Sequence, residues 1–176
     1  PKDRWPKVAV IVLNWNGWPD TLECLESLQR LSYPNFQVIV VDNGSVDDSV
    51  EKIKGWCQGK IPVQTRFAEF EPRLKPVARL DYSRRDAESG GDIRREVEVE
   101  AVPSQKRLIL IQTGENLGFV GGNNVGLRYC LKKNYGYLWL LNNDTVVDRA
   151  SLAEMIKIAE SDGTIGILGP MVLFYS

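Results

Sequence analysis

The chain has 176 residues, which suffice for one ordinary α/β domain with a hydrophobic core and hardly for two. Its formal net charge of −1 provides no overall basic field that would point to nucleic acid as a partner. It contains no histidine, which excludes Ser-His-Asp and Cys-His catalysis and histidine-ligated metals. Any chemistry must therefore use carboxylates, amides, hydroxyls and an oxygen-ligated metal.

The sequence carries no membrane or secretory signal. Its longest aliphatic run, Val8–Leu13, is far shorter than the ~20 residues that a membrane helix needs. Cys24, Cys57 and Cys130 are odd in number and widely spaced, which favours small core thiols in a reducing compartment over disulfides or a zinc site. We therefore expect a cytoplasmic location, with the cytoplasmic face of a membrane as the alternative.

In chain order, four apolar runs lack the alternation of a half-exposed strand: Val8–Asn14, Val38–Asp42, Leu108–Gln112 and Tyr137–Asn142. Such runs are typical of parallel strands covered on both faces. Four helical patterns lie between or after them, marked by Leu22, Leu25, Leu28 and Leu31, by Val50 and Ile53, by Val120, Asn124, Leu127 and Leu131, and by Leu152, Met155, Ile156 and Ala159. This alternation predicts an α/β fold with a mostly parallel central sheet and helices on both faces.

Three pairs of residues predict where helices begin. They are spaced as capping pairs: Asp20 with Glu23, Ser45 with Asp48, and Ser151 with Glu154. A side chain of this kind accepts a hydrogen bond from a free N–H group in the first turn of a helix.

One stretch breaks the alternation of strands and helices. Residues 66–107 hold 19 of the 45 charged residues, together with Gly90-Gly91 and three of the nine prolines. Because unpaired charges are costly to bury, we expect an insertion outside the core of a single domain that spans residues 1–176. The alternation in Glu96–Glu100 favours an extended arm or hairpin, and a solvated loop is the alternative.

Polar residues follow each of the four predicted strands. The first continues into Asn14-Trp-Asn-Gly17, the second into Asp42-Asn-Gly-Ser45, the third into residues 115–126, and the fourth into Asn142-Asn-Asp-Thr145. Turn residues commonly follow strands, so one such segment alone says little. Ligands of an open parallel sheet bind outside the carboxyl ends of its strands, and four polar ends therefore predict one binding edge.

The segments VAVIVLNWNG, VIVVDNGSVDDS, ENLGFVGGNNVGL and WLLNNDTVV resemble, in this order, the signature segments of family 2 glycosyltransferases. The resemblance covers nearly the whole chain except the charged insertion. It implies the N-terminal, donor-binding part of a Rossmann-like GT-A fold. The GxGxxG motif of dehydrogenases and the GxxxxGK[ST] phosphate loop are absent. A nucleotidyltransferase would need a Gly-rich loop with a basic residue after the first strand, which Asn14-Trp-Asn-Gly17 does not provide.

The resemblance implies that Asp42 accepts a hydrogen bond from the ring N–H of a nucleobase. Leu13, Asn14 and Trp15 would line the pocket for the base and the ribose. For Trp15, a plain position in the core is an equally good interpretation. The fourth segment is similar to rhamnosyltransferase-like members, which implies a UDP- or dTDP-linked sugar as the donor.

The third and fourth segments are implied to hold the diphosphate and a metal. The residues beside the diphosphate would be Asn116, Gly118, Gly121, Gly122 and Asn124. Glycine lets the backbone approach phosphates closely, and N–H groups at the start of a helix favour anions. Asn142-Asn143-Asp144 stands where the family has Asp-x-Asp, so Asp144 would ligate Mg²⁺ or Mn²⁺ and thereby neutralise the leaving diphosphate.

The chain departs from the family pattern in two ways. Asn142 replaces the leading Asp of the metal motif and adds no charge, so we expect weak metal binding without the nucleotide. The family's catalytic base is typically an Asp further along the domain, and the catalytic residue is unknown here. We explain Asp47, Asp148 and Asp162 as helix-end residues. These departures predict that the chain binds the donor but transfers its sugar poorly or not at all by itself.

The resemblance implies an inverting, metal-assisted glycosyltransferase that acts on a saccharide or lipid-linked acceptor hydroxyl. Polysaccharide or cell wall biosynthesis would be its setting. Segments missing from this chain would complete the acceptor side and attach the protein peripherally to a membrane. Because no base is assigned, a non-catalytic nucleotide-sugar-binding or assembly module remains the alternative function.

Overall fold

The computed structural model describes residues 5–174, in which five strands are interspersed with helices. The strands are β1 (Val8–Asn14), β2 (Phe36–Asp42), β3 (Ala78–Ser83), β4 (Arg107–Gln112) and β5 (Tyr137–Asn142). The α-helices are α1 (Trp18–Gln29), α2 (Ser49–Cys57), α3 (Arg84–Ser89), α4 (Ile93–Glu100), α5 (Gly118–Leu131) and α6 (Ser151–Ser161). Short 3₁₀ turns form at Pro72–Leu74 and Ser104–Lys106. None of the helices within residues 5–174 is long and apolar enough to span a membrane.

The strands form one sheet in the order β3-β4-β2-β1-β5, and every neighbouring pair is parallel. Successive side chains of a strand point to opposite faces. Val8, Val10 and Val12 of β1 accordingly belong to one apolar cluster, and Ala9 and Ile11 belong to another. Apolar runs without alternation are needed because both faces are covered. The predicted α/β fold with a parallel central sheet is confirmed.

A different set of helices covers each face. On the first face, α1, α2 and α6 bury side chains such as Leu25, Trp56 and Ile156. On the second face, α5 buries Tyr129, and α3 buries Ala87. The three cysteines, predicted to be core thiols, are buried and free. Helices therefore lie on both faces, as the alternation of the sequence predicted.

The three predicted capping pairs are wrong. α1 follows Gly17 and α2 follows Asp48, and neither helix receives a side-chain cap. α6 follows Ala150, which has no capping group. The hydroxyl of Ser45 instead accepts a hydrogen bond from the backbone N–H of Asn16 at 2.9 Å. A polar residue between a strand and a helix thus serves the loops that meet at the strand ends rather than its own helix.

The charged segment 66–107 is not an arm, a hairpin or a loop outside the core, contrary to prediction. It supplies β3, which pairs in parallel with β4, and the helices α3 and α4. Its residues Leu80, Tyr82 and Ala87 are buried in the second apolar cluster. Residues Glu96–Glu100, whose alternation suggested a strand, lie in α4.

Charges in this segment are buried only where they have partners. Lys75 Nζ lies 3.1 Å from Glu26 Oε1 and 3.6 Å from the centre of the Trp56 ring. The guanidinium of Arg107 donates to the backbone carbonyl oxygens of Phe36 and Glu100 at 3.1 and 2.8 Å. The high charge density was therefore a wrong reason to place the segment 66–107 outside the core. The desolvation cost applies to buried charges without partners, and these charges have partners.

Four polar side chains join the segment to α5: Glu96, Tyr82, Tyr129 and Lys133, called the Glu96 cluster below. Glu96 Oε1 accepts hydrogen bonds from both tyrosine hydroxyls at 2.9 Å, and Lys133 Nζ lies 2.5 Å from Oε2. Burial raises the pKa of Tyr82 to about 12 and also raises the pKa of Tyr129, and the neighbouring Glu96 adds to both shifts. Both tyrosines therefore remain neutral hydrogen-bond donors at physiological pH.

The sheet is less completely covered at β5 than elsewhere. Within residues 5–174, β5 pairs with β1 alone, and Leu138 and Leu140 are 38% and 50% exposed. Residues 162–174 form neither helix nor strand there, and Ile167 and Phe174 are exposed. Both β5 and residues 162–174 therefore present exposed apolar side chains.

Candidate functional site at the carboxyl ends of the strands

The register of the sheet brings four polar strand ends to one edge. Asn14 at the end of β1 is opposite Asp42 of β2, and Asp42 is opposite Gln112 of β4. On the other side, Leu13 of β1 is opposite Asn142 of β5. The segments predicted to converge therefore lie side by side, in the order β4, β2, β1, β5.

Beneath this edge, a continuous chain of hydrogen bonds joins Asn143, Thr21, Asn14, Asp42 and Ser45, called the rim network below. Asn143 Nδ2 donates to Thr21 Oγ1 at 3.0 Å, and Thr21 Oγ1 donates to Asn14 Oδ1 at 2.7 Å. Asn14 Nδ2 donates to Asp42 Oδ2 at 2.8 Å and to Ser45 Oγ at 3.1 Å. The network thus connects the ends of β5, β1 and β2 through α1.

The rim network adds a structural role to two predicted site residues. Asn14 is 0% exposed, so its side chain supports the edge from below and is not accessible to a ligand. Asp42 is 3% exposed, and its oxygens accept hydrogen bonds from Asn14 Nδ2 and from the backbone N–H of Ser45 at 3.1 Å. A carboxylate oxygen has a second lone pair, so the contact of Asp42 with a base stays a prediction.

Asn43 belongs to this edge, although the predicted set of site residues did not include it. Its Nδ2 donates to Asn116 Oδ1 at 3.0 Å and to Gly118 O at 3.1 Å, and its Oδ1 accepts from Leu117 N at 3.1 Å. Asn43 thus fastens the start of α5 to the end of β2. The alternation of side chains along a strand was the available signal, because it directs Asp42 and Asn43 to opposite faces.

Glycine is needed at different positions of α5 for different structural reasons. A Cβ at Gly122 would lie 2.5 Å from Leu13 Cδ1, and a Cβ at Gly126 would lie 2.8 Å from Ile11 Cγ2. These two glycines let the helix pack closely on the sheet. For Gly122, this packing is a structural need for glycine that is separate from the predicted contact with the diphosphate. Gly118 has a φ of +70° with open space around its Cα, so it remains a candidate for close approach of a diphosphate.

The other predicted residues differ in accessibility. Trp15 is 54% exposed, which excludes the interpretation of it as a core residue. Leu13 is half-buried against the second apolar cluster. Asn116 is exposed just before α5, and Gly121 and Asn124 are half-buried within that helix. Trp15 and Asn116 therefore present accessible groups at the edge.

The end of β5 presents an exposed carboxylate. Asn142 and Asp144 are exposed, and within residues 5–174 neither side chain has a hydrogen bond or an ion pair with the protein. Asn143 lies between them and points inward, where its Nδ2 also donates to Gly17 O at 3.3 Å. The described part of the chain contains no group of three or more Cys, Asp or Glu side chains that could hold a metal. Asp144 thus presents an exposed carboxylate that has no hydrogen bond or ion pair among the described residues.

The sequence matches a known family over most of its length. Residues 9–72 and 88–175 match the family model described as Glycosyl transferase family 2. The chain belongs to this family. The four strand ends of the candidate site all lie within the matched residues, whereas β3 lies in the unmatched interval 73–87. The resemblance drawn from the four segments is confirmed at the level of the family.

Curated relatives of this family 2 chain are longer than it is. Over 167 residues it is 26% identical to hyaluronan synthase 2 of Rattus norvegicus. This alignment covers 92% of the chain and 28% of the relative. Over 58 residues it is 36% identical to the uncharacterized protein Mb1552 of Mycobacterium bovis, which covers 33% of the chain and 22% of that protein. The chain thus spans less than a third of the length of these relatives.

Solved structures share its fold. The mannosyltransferase PcManGT from Pyrobaculum calidifontis, in complex with GDP-Man and Mn²⁺, superposes with a TM-score of 0.60 at 20% identity, covering 93% of this chain and 35% of that one. Residues 1–349 of TarS from S. aureus superpose with a TM-score of 0.52 at 15% identity, covering 88% and 32%. Both neighbours share the GT-A type of fold, and at these identities the likeness shows the fold alone.

Proposed function

We propose that this chain is the donor-binding part of an inverting glycosyltransferase that uses a nucleoside diphosphate sugar. The observation that carries the proposal is the convergence of four polar strand ends, all within the family 2 match, on one edge of a parallel sheet. That edge is where open α/β sheets bind ligands.

The nucleoside is proposed to lie over the ends of β1 and β2. The exposed ring of Trp15 offers a flat apolar surface to a base. Asp42, held by Asn14 and by the backbone N–H of Ser45, has lone pairs for a ring N–H. The ring of Trp15 suits any base, whereas the Asp42 acceptor favours a base with a ring N–H group, which uracil, thymine and guanine have.

The diphosphate is proposed to lie at the start of α5. Leu117 provides no side-chain cap for this helix, and the N–H of Gly118 donates to Asn116 Oδ1 at 2.8 Å, so the N–H groups of Phe119 and Val120 remain for an anion. Asn43 fixes the preceding loop through Asn116 and Leu117, so these N–H groups have a defined direction. A preorganised anion site of this kind suits the leaving group of a glycosyl donor.

Asp144 fits a Mg²⁺ or Mn²⁺ ion that the diphosphate oxygens help to hold. Its carboxylate is exposed, has no protein partner among the described residues, and is the ligand type that these cations prefer. Because the described residues contain no cluster of three acidic ligands, the chain would bind the cation weakly without the nucleotide. When bound, the cation supplies charge neutralisation of the leaving diphosphate.

Inversion requires a single in-line displacement. The oxygen of an acceptor hydroxyl forms a bond to the anomeric carbon, the bond from that carbon to the diphosphate oxygen breaks, and the hydroxyl proton passes to a base. Asp42 is committed to the rim network, and we place Asp144 at the metal, so we assign neither as the base. We place the base and the acceptor side in further chain, in keeping with the greater length of the relatives.

The proposed donor is a UDP- or dTDP-linked sugar, and the proposed acceptor is a saccharide or a lipid-linked hydroxyl. A setting in polysaccharide or cell wall biosynthesis, in the cytoplasm or at the cytoplasmic face of a membrane, belongs to the same proposal. GDP needs to be tested beside UDP and dTDP, because a structural neighbour is described with GDP-Man and Mn²⁺.

Calorimetry tests the proposal directly. UDP, dTDP and GDP are titrated into the chain with and without Mn²⁺, with AMP as a control that lacks a diphosphate. We expect one diphosphate to bind, and to bind more tightly with Mn²⁺. A parallel assay with radiolabelled donors and saccharide or lipid-linked acceptors distinguishes transfer from binding alone. If no diphosphate binds with or without Mn²⁺, the proposed function is wrong.

A further inference from the structure

The rim network points to a residue outside the predicted set, Thr21 in the first turns of α1. We propose that Thr21 is a positioning residue whose hydroxyl holds Asn143, and thereby places the neighbouring Asp144 carboxylate at the edge of the sheet. The inference rests on the proposed function for the identity of the ligand. The positioning itself concerns the protein alone and is testable without a ligand.

The hydrogen-bonding capacity of Thr21 fixes which groups donate and which accept in the rim network. The residue is 0% exposed, so its hydroxyl has no access to water. A hydroxyl has one hydrogen to donate, and Asn14 Oδ1 at 2.7 Å is an acceptor that requires it. Thr21 Oγ1 must therefore accept from Asn143 Nδ2 at 3.0 Å. Reversal of either bond would leave a buried polar group unpaired.

The local geometry admits the Asn143 side chain at this place. A Cβ at Gly17 would lie 2.9 Å from Asn143 Nδ2, closer than carbon and nitrogen normally approach. The carbonyl oxygen of Gly17 accepts a second hydrogen bond from the same Nδ2 at 3.3 Å. Gly17 therefore provides both the space and a second partner for Asn143 at the start of α1.

Helix α1 anchors the loop after β5 at a second point. The hydroxyl of Ser27 accepts a hydrogen bond from the backbone N–H of Val147 at 3.1 Å. Cys24 Sγ, also on α1, adds a long hydrogen bond of 3.9 Å to the backbone oxygen of Asn142. The side chains of Asn142 and Asp144 have no hydrogen bond or ion pair within residues 5–174. In the sequence, Asp144 lies between Asn143 and Val147, which are bonded to Thr21 and Ser27, and it directly follows Asn143.

The same hydroxyl reaches the other half of the proposed donor site. Asn14, which accepts from Thr21, donates to Asp42 at the proposed base position. One buried side chain therefore connects the proposed metal ligand with the proposed base acceptor. Loss of the hydroxyl should disturb the metal side first, because Asn14 keeps its bonds to Asp42 and Ser45.

The test compares Thr21→Val with Thr21→Ser in the full chain. Valine keeps the shape and the β-branch of threonine but lacks the hydroxyl, whereas serine keeps the hydroxyl. The first measurement is hydrogen exchange of residues 142–147 in the ligand-free protein. We expect exchange there to become about tenfold faster in Thr21→Val, the scale of one lost buried hydrogen bond, and to stay unchanged in Thr21→Ser.

The second measurement is the ratio of the Kd values for UDP without and with Mn²⁺. We expect Thr21→Val to lower this ratio by about tenfold or abolish the enhancement, and Thr21→Ser to retain it. The Kd for UDP without Mn²⁺ should change less than twofold in both variants. A purely structural role of Thr21 would weaken both binding modes equally.

Asn143→Ala provides a second route to the same result if Thr21→Val folds poorly. It removes the loop side of the bond and leaves the Thr21–Asn14 bond intact, and it should speed exchange in residues 142–147 in the same way. Unchanged exchange of residues 142–147 in a folded Thr21→Val or Asn143→Ala variant overturns the proposal. Equal effects of Thr21→Val and Thr21→Ser overturn it as well. If the wild-type chain binds no diphosphate while the loop still loosens in Thr21→Val, positioning stands and the proposed function fails.

Discussion

Two buried polar clusters connect elements of this chain, and they differ in how their carboxylate is held. In the Glu96 cluster, the carboxylate pairs with the cation of Lys133 and with two tyrosine hydroxyls. In the rim network, Asp42 is held by an amide and a backbone N–H, and none of the five members is a cation. The first cluster docks the segment 66–107 on α5, and the second lies beneath the candidate site.

The difference fits the role that we propose for each carboxylate. A carboxylate that only docks two elements is best neutralised by a buried cation, because burying a charge without a partner is costly. A carboxylate at a ligand edge is more useful when neutral donors hold it, since its charge and remaining lone pairs stay directed at a ligand. We therefore expect changes in the Glu96 cluster to affect stability alone, and changes in the rim network to affect both stability and binding.

The largest effect is expected when the docked segment is removed. Replacing residues 73–105 by a short Gly/Ser linker deletes β3 and Glu96 and exposes Ile109 and Ile111 of β4, which face the second apolar cluster. We expect loss of the cooperative thermal transition in circular dichroism, or aggregation. A soluble product that unfolds cooperatively near the wild-type midpoint would show that the segment is peripheral after all.

Removal of the docking carboxylate should come next. Glu96→Ala leaves Lys133 and two tyrosine hydroxyls without their partner, which is expected to lower the free energy of unfolding by roughly 3–5 kcal/mol. Glu98→Ala, on the exposed side of the same helix, should change it by less than about 0.5 kcal/mol. Urea unfolding measures both, and similar values for the two variants would contradict the difference in burial.

A change at Asp42 should affect both properties. Asp42→Ala leaves Asn14 Nδ2 and the Ser45 N–H with one bond fewer, so the free energy of unfolding should fall by about 1–3 kcal/mol. Binding of UDP or dTDP should weaken by a similar ~1–3 kcal/mol, the scale of a hydrogen bond to a charged group. Asp48→Ala is the matched control, since Asp48 is exposed and its side chain caps no helix. Undiminished nucleotide affinity in a folded Asp42→Ala variant would remove Asp42 from the site.

The smallest effect on stability is expected at Asp144. Because its side chain is exposed and has no partner among the described residues, Asp144→Asn should change the free energy of unfolding by less than about 0.5 kcal/mol. It should nevertheless abolish the Mn²⁺ enhancement of diphosphate binding in calorimetry. The converse variant, Asn142→Asp, adds a second carboxylate and should bind Mn²⁺ more tightly without nucleotide. Persistent enhancement in Asp144→Asn would exclude it as the metal ligand.

The sequence predicted four of the five strands and missed β3, one of the two edge strands. β1, β2, β4 and β5 come from apolar runs, and β1, β2 and β4 are covered on both faces, as such runs indicate. β5 has an equally apolar run, although it lies at the other edge of the sheet and its Leu138 and Leu140 are partly exposed. β3 has the sequence ARLDYS, a single neighbour, and only Leu80 and Tyr82 buried, so its polar residues concealed it. The EVEVE stretch of α4 has a period of two, yet only Glu96 of its glutamates is buried.

The location of the candidate site could be predicted from the sequence better than the contacts that its residues make. Polar residues at four parallel strand ends must meet at one edge, and this required no knowledge of the structure. Glycines in α5 were correctly singled out, but Gly122 and Gly126 pack on the sheet. Asn43 and Thr21 were missed, because what makes them important is partners on other elements: Asn116 and Leu117 for Asn43, and Asn14 and Asn143 for Thr21.

The sequence by itself determined the order of four strands and four helices, the convergence of four strand ends and the membership of the family, because these follow from local periodicity and short motifs. Only the tertiary structure decided which polar groups are buried together. Asn143 meets Thr21 across 122 positions of sequence, and Glu96 meets Tyr129 across 33. A local pattern reports whether a residue is polar, but the partner that makes its burial affordable lies on another element and is brought there only by packing.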